Sequence, residues 1–237
     1  MAFLPEEAGS LRRRAVVFID VLRATTSLVT LLERGCEEVL IAPSVEAARR
    51  YRDAHPAVLA AGEQGGRAPE GFDFGNSPAA FARSDLAGRR VVLATTNGTR
   101  AMHVARDAPC ALAGCLRNRS VVAREVVAAA DAARLDITLV CAGREGRFSL
   151  DDAYTAGAIV EAASGAPSPA GLDLTDAALA ARALFHAFPD ADAMFRSTRA
   201  GRNVVEIGLA EDLPYCAERD RSVVVPRVGD RVRLLDA

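Results

Sequence analysis

Residues 15–19 form an unbroken apolar run, AVVFI, and the first charged side chain after it is Asp20. A short continuous run of β-branched and aromatic residues predicts a strand buried on both faces, as in a parallel sheet covered by helices. Similar runs return at 38–42, 57–62, 90–96, 110–113 and 137–143. Between them lie helical stretches: 27–35 closed by Gly35, 44–54, one starting near 99, one opened by Asn118 or Ser120 and ending at 133, and one from 149. This alternation predicts an α/β fold, three-layer α/β/α, around a largely parallel sheet that leaves room for a mixed strand. The chain reads as one domain over 1–237, with 165–171 the sole candidate sub-boundary. Beyond that loop, helices are expected at 175–188 and 191–199. The β-prone pieces at 204–207, 222–225 and 232–235 are expected to extend or cover the sheet.

Four strands run into polar segments with Gly or Thr, at 20–26, 62–78, 95–100 and 143–152. Ligands of open parallel sheets bind outside the carboxyl ends of the strands, so these segments are expected to converge. The first offers Asp20, Arg23, and Thr25 and Thr26, either of which is placed to N-cap a helix whose N-terminus favours anions. Two readings stand: the segment holds a metal and a phosphate, or Asp20 only pairs with Arg23 while the threonines cap. Thr95, Thr96, Asn97, Gly98, Thr99 and Arg100 have the makings of a phosphate cradle, with close backbone approach at Gly98 and a bidentate guanidinium. Taken alone, that stretch reads better as a tight Asn-Gly turn with a Thr cap. Glu63 is either a metal ligand or a solvated loop residue. Asn76, Ser77 and Pro78 predict a helix start with Pro in the first turn. Asp151 and Asp152 fall in the first turn of a helix, where the dipole favours acids whatever their function. As neighbours they face different directions, so at most one reaches an ion held by Asp20.

Composition narrows the chemistry. Net charge is −2, which argues against a general nucleic-acid binder. All 29 basic side chains are Arg, which excludes the mechanisms that need a lysine: P-loop NTPases, Schiff-base aldolases and pyridoxal phosphate enzymes. The 5 cysteines include no CxxC pair and read as free thiols. His55, His103 and His186 show no metal-ligand spacing. With no leader-like N-terminus and no apolar run approaching a membrane span, a soluble cytoplasmic protein is expected. Carboxylates and hydroxyls without His or Cys clusters suit a hard cation, for which Mg²⁺ is the natural choice.

The stretches IDVLRATTS, GEQGG with GFDFGNSP, TTNGTRA, and CAGREGRFSLDDAYTAGAIV, in this order over residues 16–160, resemble the magnesium-dependent 2-phosphosulfolactate phosphatases, the ComB family of coenzyme M biosynthesis. Weaker matches continue beyond, including Pro226. The resemblance implies a Mg²⁺-dependent phosphatase of a phosphorylated 2-hydroxy acid, with 2-phosphosulfolactate giving 3-sulfolactate and phosphate. The working assignment makes Asp20, Arg23 and Asp152 catalytic and Asp20, Glu63 and Asp151 metal ligands. Thr25, Thr26, Asn76, Thr95, Thr96, Asn97, Gly98, Thr99 and Arg100 bind substrate. Whether metal-bound water or Asp20 attacks phosphorus stays open. The haloacid-dehalogenase route does not fit, because its second Asp would fall at Leu22 and its lysine has no candidate. Two departures from the family pattern stand out. The chain starts late, so an edge strand is expected to be missing, and Asp151 stands where Glu is more common. The rival function is a non-catalytic binding module for a phosphorylated metabolite or nucleotide, although no GxGxxG follows any predicted strand. The expected partner is a small phosphorylated acid, with neither nucleic acid nor membrane, and a homodimer stays open.

Overall fold

The computed structural model describes residues 1–96, 102–168 and 171–235. In one sheet, β1 (Arg14–Ile19) lies between β5 (Cys110–Ala113) and β6 (Asp136–Cys141). In the other the order is β3 (Leu59–Gly62), β4 (Arg90–Ala94), β2 (Glu38–Ile41), β7 (Val232–Leu234). Every pairing between these strands is parallel, as continuous apolar runs predict. The expected single sheet is thus two. Residues 226–228 connect them: Ala113 N–H donates to Pro226 O and Val228 N–H to Ala111 O beside β5, before the chain turns into β7.

The two faces of β1 explain the layering. Ala15, Val17 and Ile19 pack against α4 (Arg119–Ala133) and α5 (Leu150–Ser164). Phe18 points the other way, into a cluster shared with Ile41, Ala61 and Leu93 of the second sheet and with α1 (Ala24–Glu33). The remaining face of that second sheet, including Leu40, Ala60 and Val92, is covered by α2 (Val45–Ala54) through Ala47 and Ala48. Helices on the outer faces with strands between them make a three-layer α/β/α fold. Phe18 of the first sheet and Ile41 and Leu93 of the second share one core with Leu28 and Leu31 of α1, and the residues that follow β1, β3, β4 and β6 come to a common region.

Local chemistry sets the boundaries. Ser44 caps α2 by accepting from Ala47 N–H, and Ser77 caps α3 (Pro78–Ala82) with Pro in the first turn, as expected. Beyond α5 come α6 (Asp176–Ala187), α7 (Ala191–Ser197), α8 (Arg199–Glu206) and α9 (Asp212–Ala217). A Cβ on Gly157 would stand 1.9 Å from Ala181 O, so only glycine lets α5 and α6 pack this closely. The β-prone reading of 204–207 is corrected. Gly201 and Val204, three apart, are buried while Val205 and Glu206 are both exposed, the spacing of a helical face in α8, and 222–225 carries no strand. Only 232–235 extends the sheet as expected. Ala2 sits beside β6, donating to Leu139 O and accepting from Cys141 N–H. The five cysteines are free and buried. Among the described residues, no helix is long and apolar enough to cross a membrane.

Candidate active site

A cleft of about 120 Å³ opens at the carboxyl ends of the strands, lined by Asp20, Arg23, Glu63, Asn76, Thr95 and Thr96 among the expected residues. Parallel registry brings them there: Gly62 pairs with Ala94, so Glu63 and Thr95 leave neighbouring strands side by side. Glu63 accepts from Thr96 N–H at 2.7 Å through Oε1 and from Gly66 N–H at 2.7 Å through Oε2. One carboxylate thereby fixes two loops.

Asp20 follows β1 directly. Its Oδ1 accepts from Ala24 N–H at 3.2 Å, in the first turn of α1, and among the described residues its Oδ2 has no hydrogen bond. Burial pushes the carboxyl up to about 7, with the Glu63 and Asp151 charges adding to the rise and the Ala24 N–H and Arg23 opposing it. The expected capping by Thr25 and Thr26 is corrected: both lie inside α1, fully buried, and α1 has no side-chain cap. The Thr25 hydroxyl donates to Asp20 O and the Thr26 hydroxyl to Val21 O, both at 2.9 Å, so they brace the turn and do not line the cleft.

The Asp20–Arg23 ion pair is also corrected. Arg23 pairs instead with Asp212 at 2.8 Å, both side chains buried, and donates to Gly66 O at 2.8 Å. Asp212 in turn accepts from Ser77 Oγ at 2.7 Å and from Ala79 N–H at 3.2 Å. One buried carboxylate therefore couples the Arg23 segment, α3 and α9. The Leu22–Arg23 peptide is cis.

Asp152 does not line the cleft. Its Oδ1 accepts from Val21 N–H at 2.9 Å and its Oδ2 from Gly143 N–H at 3.1 Å, so it ties the ends of β1 and β6 together. Burial, then the charges of Asp151 and Asp20, hold this carboxyl well above its ordinary range. Asp151 faces a neighbouring cavity and accepts from Ser149 Oγ at 2.6 Å. Neither lines the cleft with Asp20 and Glu63, and among the described residues no group of three or more His, Cys, Asp or Glu side chains is arranged to hold a metal. Asn97, Gly98, Thr99 and Arg100 lie outside the described residues.

Two tight turns complete the walls. Gln64 and Arg67 exchange backbone hydrogen bonds, as do Arg144 and Arg147, and the central residues Gly65, Gly66, Glu145 and Gly146 all have positive φ. These are the geometries of type I′ turns, which glycine adopts without a Cβ penalty. They place Gly66, Arg144 and Glu145 in the cleft. Arg144 was legible, since it follows Gly143 as Glu63 follows Gly62. Asn203, contributed by α8, had no signal, falling between the expected helix at 191–199 and the β-prone piece at 204–207. Nor had Asp212, whose place in a first helical turn looks like dipole compensation alone.

The donors in the cleft suit a hard cation. Two carboxylates, Asp20 and Glu63, stand with Asn76, whose buried Oδ1 has no hydrogen-bond partner. Mg²⁺ is ordinarily bound through one or two carboxylates and completes its shell with waters and phosphate oxygens. The residues fit such a two-carboxylate site, and Asn76 Oδ1 supplies an unused acceptor. A larger groove of about 470 Å³, bordered by apolar residues such as Val126, Ile159 and Leu174, holds none of the expected residues.

Residues 3–231 match the family described as 2-phosphosulpholactate phosphatase. A probable 2-phosphosulfolactate phosphatase of Deinococcus radiodurans is 41% identical over 217 residues, covering 90% of this chain and 88% of the relative. Relatives with the same description come from Thermus thermophilus, 39% identical over 220 residues with 92% and 89% covered, and Gloeobacter violaceus, 37% identical over 214 residues with 89% and 86% covered.

Proposed function

This chain belongs to the 2-phosphosulpholactate phosphatase family, and we propose that it hydrolyses the phosphomonoester of a small 2-hydroxy acid, 2-phosphosulfolactate to 3-sulfolactate and phosphate, with Mg²⁺ at the cleft. The observation that carries the reading is the meeting of Asp20, Glu63, Asn76 and Arg144 in one cleft at the strand ends, from positions over 120 residues apart in the chain. Asp20 and Glu63 would hold the cation, with Asn76 Oδ1 beside it, and the bound ion would supply positive charge to the phosphoryl oxygens as they gain charge. The chain's own residues orient the ester. Arg144 lines the cleft as a cation whose Nε–H, 3.7 Å from Glu145 Oε1, makes no hydrogen bond among the described residues, so it is placed to donate to a phosphoryl oxygen. Arg23, held by Asp212, keeps its place under strong constraint and adds positive field. Glu63 keeps the 64–67 turn and the Thr96 segment at a fixed separation, so the phosphoryl pocket is preorganised.

Phosphate release from 2-phosphosulfolactate tests this directly. Activity is expected with added Mg²⁺, is lost with EDTA and returns on restoring the ion. Saturable binding of the phosphorylated acid without turnover in Mg²⁺ would favour the binding-module reading and overturn the phosphatase.

A further inference from the structure

The cleft at about 120 Å³ is well below the ~300–1,000 Å³ of ordinary ligand pockets, so a phosphoryl group occupies most of it. One of its walls is the end of α8. Asn203 and Ile207, four residues apart and so on one face, lie over the 64–67 turn: a Cβ on Gly66 would stand 3.1 Å from Asn203 Nδ2 and 2.9 Å from Ile207 Cδ1. The helix is itself fixed. The Thr198 hydroxyl oxygen caps it by accepting from Gly201 N–H at 2.9 Å, and Gly201 lies against Phe195 O of α7, where a Cβ would stand at 1.9 Å. The Asn203 amide therefore has a defined place in the cleft, yet among the described residues it makes no hydrogen bond. Other donors nearby are spent on the protein. Arg23 gives Nη1 to Asp212 and Nη2 to Gly66 O, and the N–H groups of Gly66 and Thr96 go to Glu63. A phosphoryl group in transfer spreads its charge over three outer oxygens, more than the Nε of Arg144 alone can serve.

Resting on the phosphatase reading of the cleft, we infer that Asn203 binds the phosphoryl group, its Nδ2 amide donating to an outer oxygen. A neutral donor serves here where a further cation would not. A guanidinium in the same place would pair with the Asp20 or Glu63 carboxylate and compete with the metal ion for it. The amide adds a donor without that competition, and α8 holds it in position before the ester arrives.

Asn203→Ala and Asn203→Asp together separate a donor from an acceptor and from a structural role. The Asp side chain has the shape of Asn and keeps its acceptors, but it loses the N–H groups and gains a negative charge. With Mg²⁺, kcat/KM for 2-phosphosulfolactate is expected to fall about 10- to 100-fold in Asn203→Ala, the loss of a hydrogen bond to a charged group, and further in Asn203→Asp. The calorimetric Kd of inorganic phosphate is expected to rise in the same order. Tm should move by no more than about 2 °C, since the amide has no protein partner to lose. An Asn203→Asp at least as active as Asn203→Ala, an Asn203→Ala that matches wild type in kcat/KM and phosphate affinity, or a Tm that falls with the activity overturns the inference and leaves the phosphatase standing. Wild type that binds phosphate more tightly than Asn203→Asp but hydrolyses no phosphate ester removes the phosphatase and leaves the contact standing. Wild type that binds no phosphate removes the contact.

Discussion

Asp20→Asn is expected to lower Mg²⁺-dependent phosphate release on the order of 10²–10³-fold or more, while the protein folds at least as well as wild type. The two effects have one cause. Asn keeps an oxygen for the Ala24 N–H, so the first turn of α1 loses nothing, but it cannot supply the second, anionic oxygen that faces the cleft. Stability moves the other way because the wild-type carboxylate is buried. Its folded value of about 7 lies above the ordinary 3.8, so the ionised form is disfavoured in the folded state. The associated stability is fully present below the unfolded value and is lost as pH rises through the folded one. In EDTA, wild-type Tm should therefore fall between about pH 4 and pH 7 more steeply than that of Asp20→Asn. Adding Mg²⁺ should reverse the order at pH 7, since a bound cation favours the carboxylate. Calorimetric scans at several pH values, with and without the ion, measure both. Activity retained in Asp20→Asn would remove this residue from the mechanism.

Asp212→Ala is expected to destabilise the protein by about 3–5 kcal/mol, the range for breaking a buried ion pair from one side. The Arg23 guanidinium would be left charged and buried, and the Ser77 hydroxyl and Ala79 N–H would lose their acceptor. Urea unfolding monitored by circular dichroism gives the change directly. Replacing Arg23 by Leu in the same chain should recover part of the loss, because the uncompensated charge goes with it. Because Arg23 also holds Gly66 O, the 64–67 turn loosens, and kcat is expected to fall along with stability. A single variant as stable as wild type would show that the pair does not organise this region.

The legible parts of this molecule were those that local pattern determines. A buried apolar run followed by its first charged residue marked Asp20, and the same reasoning reached Glu63 and Thr95, because parallel strands deliver their ends to one edge. Ser77 and Pro78 announced α3 through capping chemistry alone. What local pattern could not supply was the partner across the fold. A pairing of Arg23 with Asp20, three residues away, was one of two readings, and Arg23 is instead held by Asp212, 189 positions on. Asp152 lies in a first helical turn, where acids are favoured whatever their function, and its two oxygens meet the N–H groups of Val21 and Gly143, a role that only the packing of β1 beside β6 creates. Periodicity likewise gave the strands and their parallel sense. The division into two sheets depends on how residues 226–228 reach β5, which no local rule encodes.

The central claim is that the ion sits between Asp20 and Glu63. Crystals soaked with Mn²⁺ and measured for anomalous scattering test it most directly. The account predicts a peak about 2.0–2.2 Å from a carboxylate oxygen of each of those two residues, with Asn76 adjoining. A peak bound by Asp151 or Asp152 in their place, or one out of reach of Asp20, would contradict it.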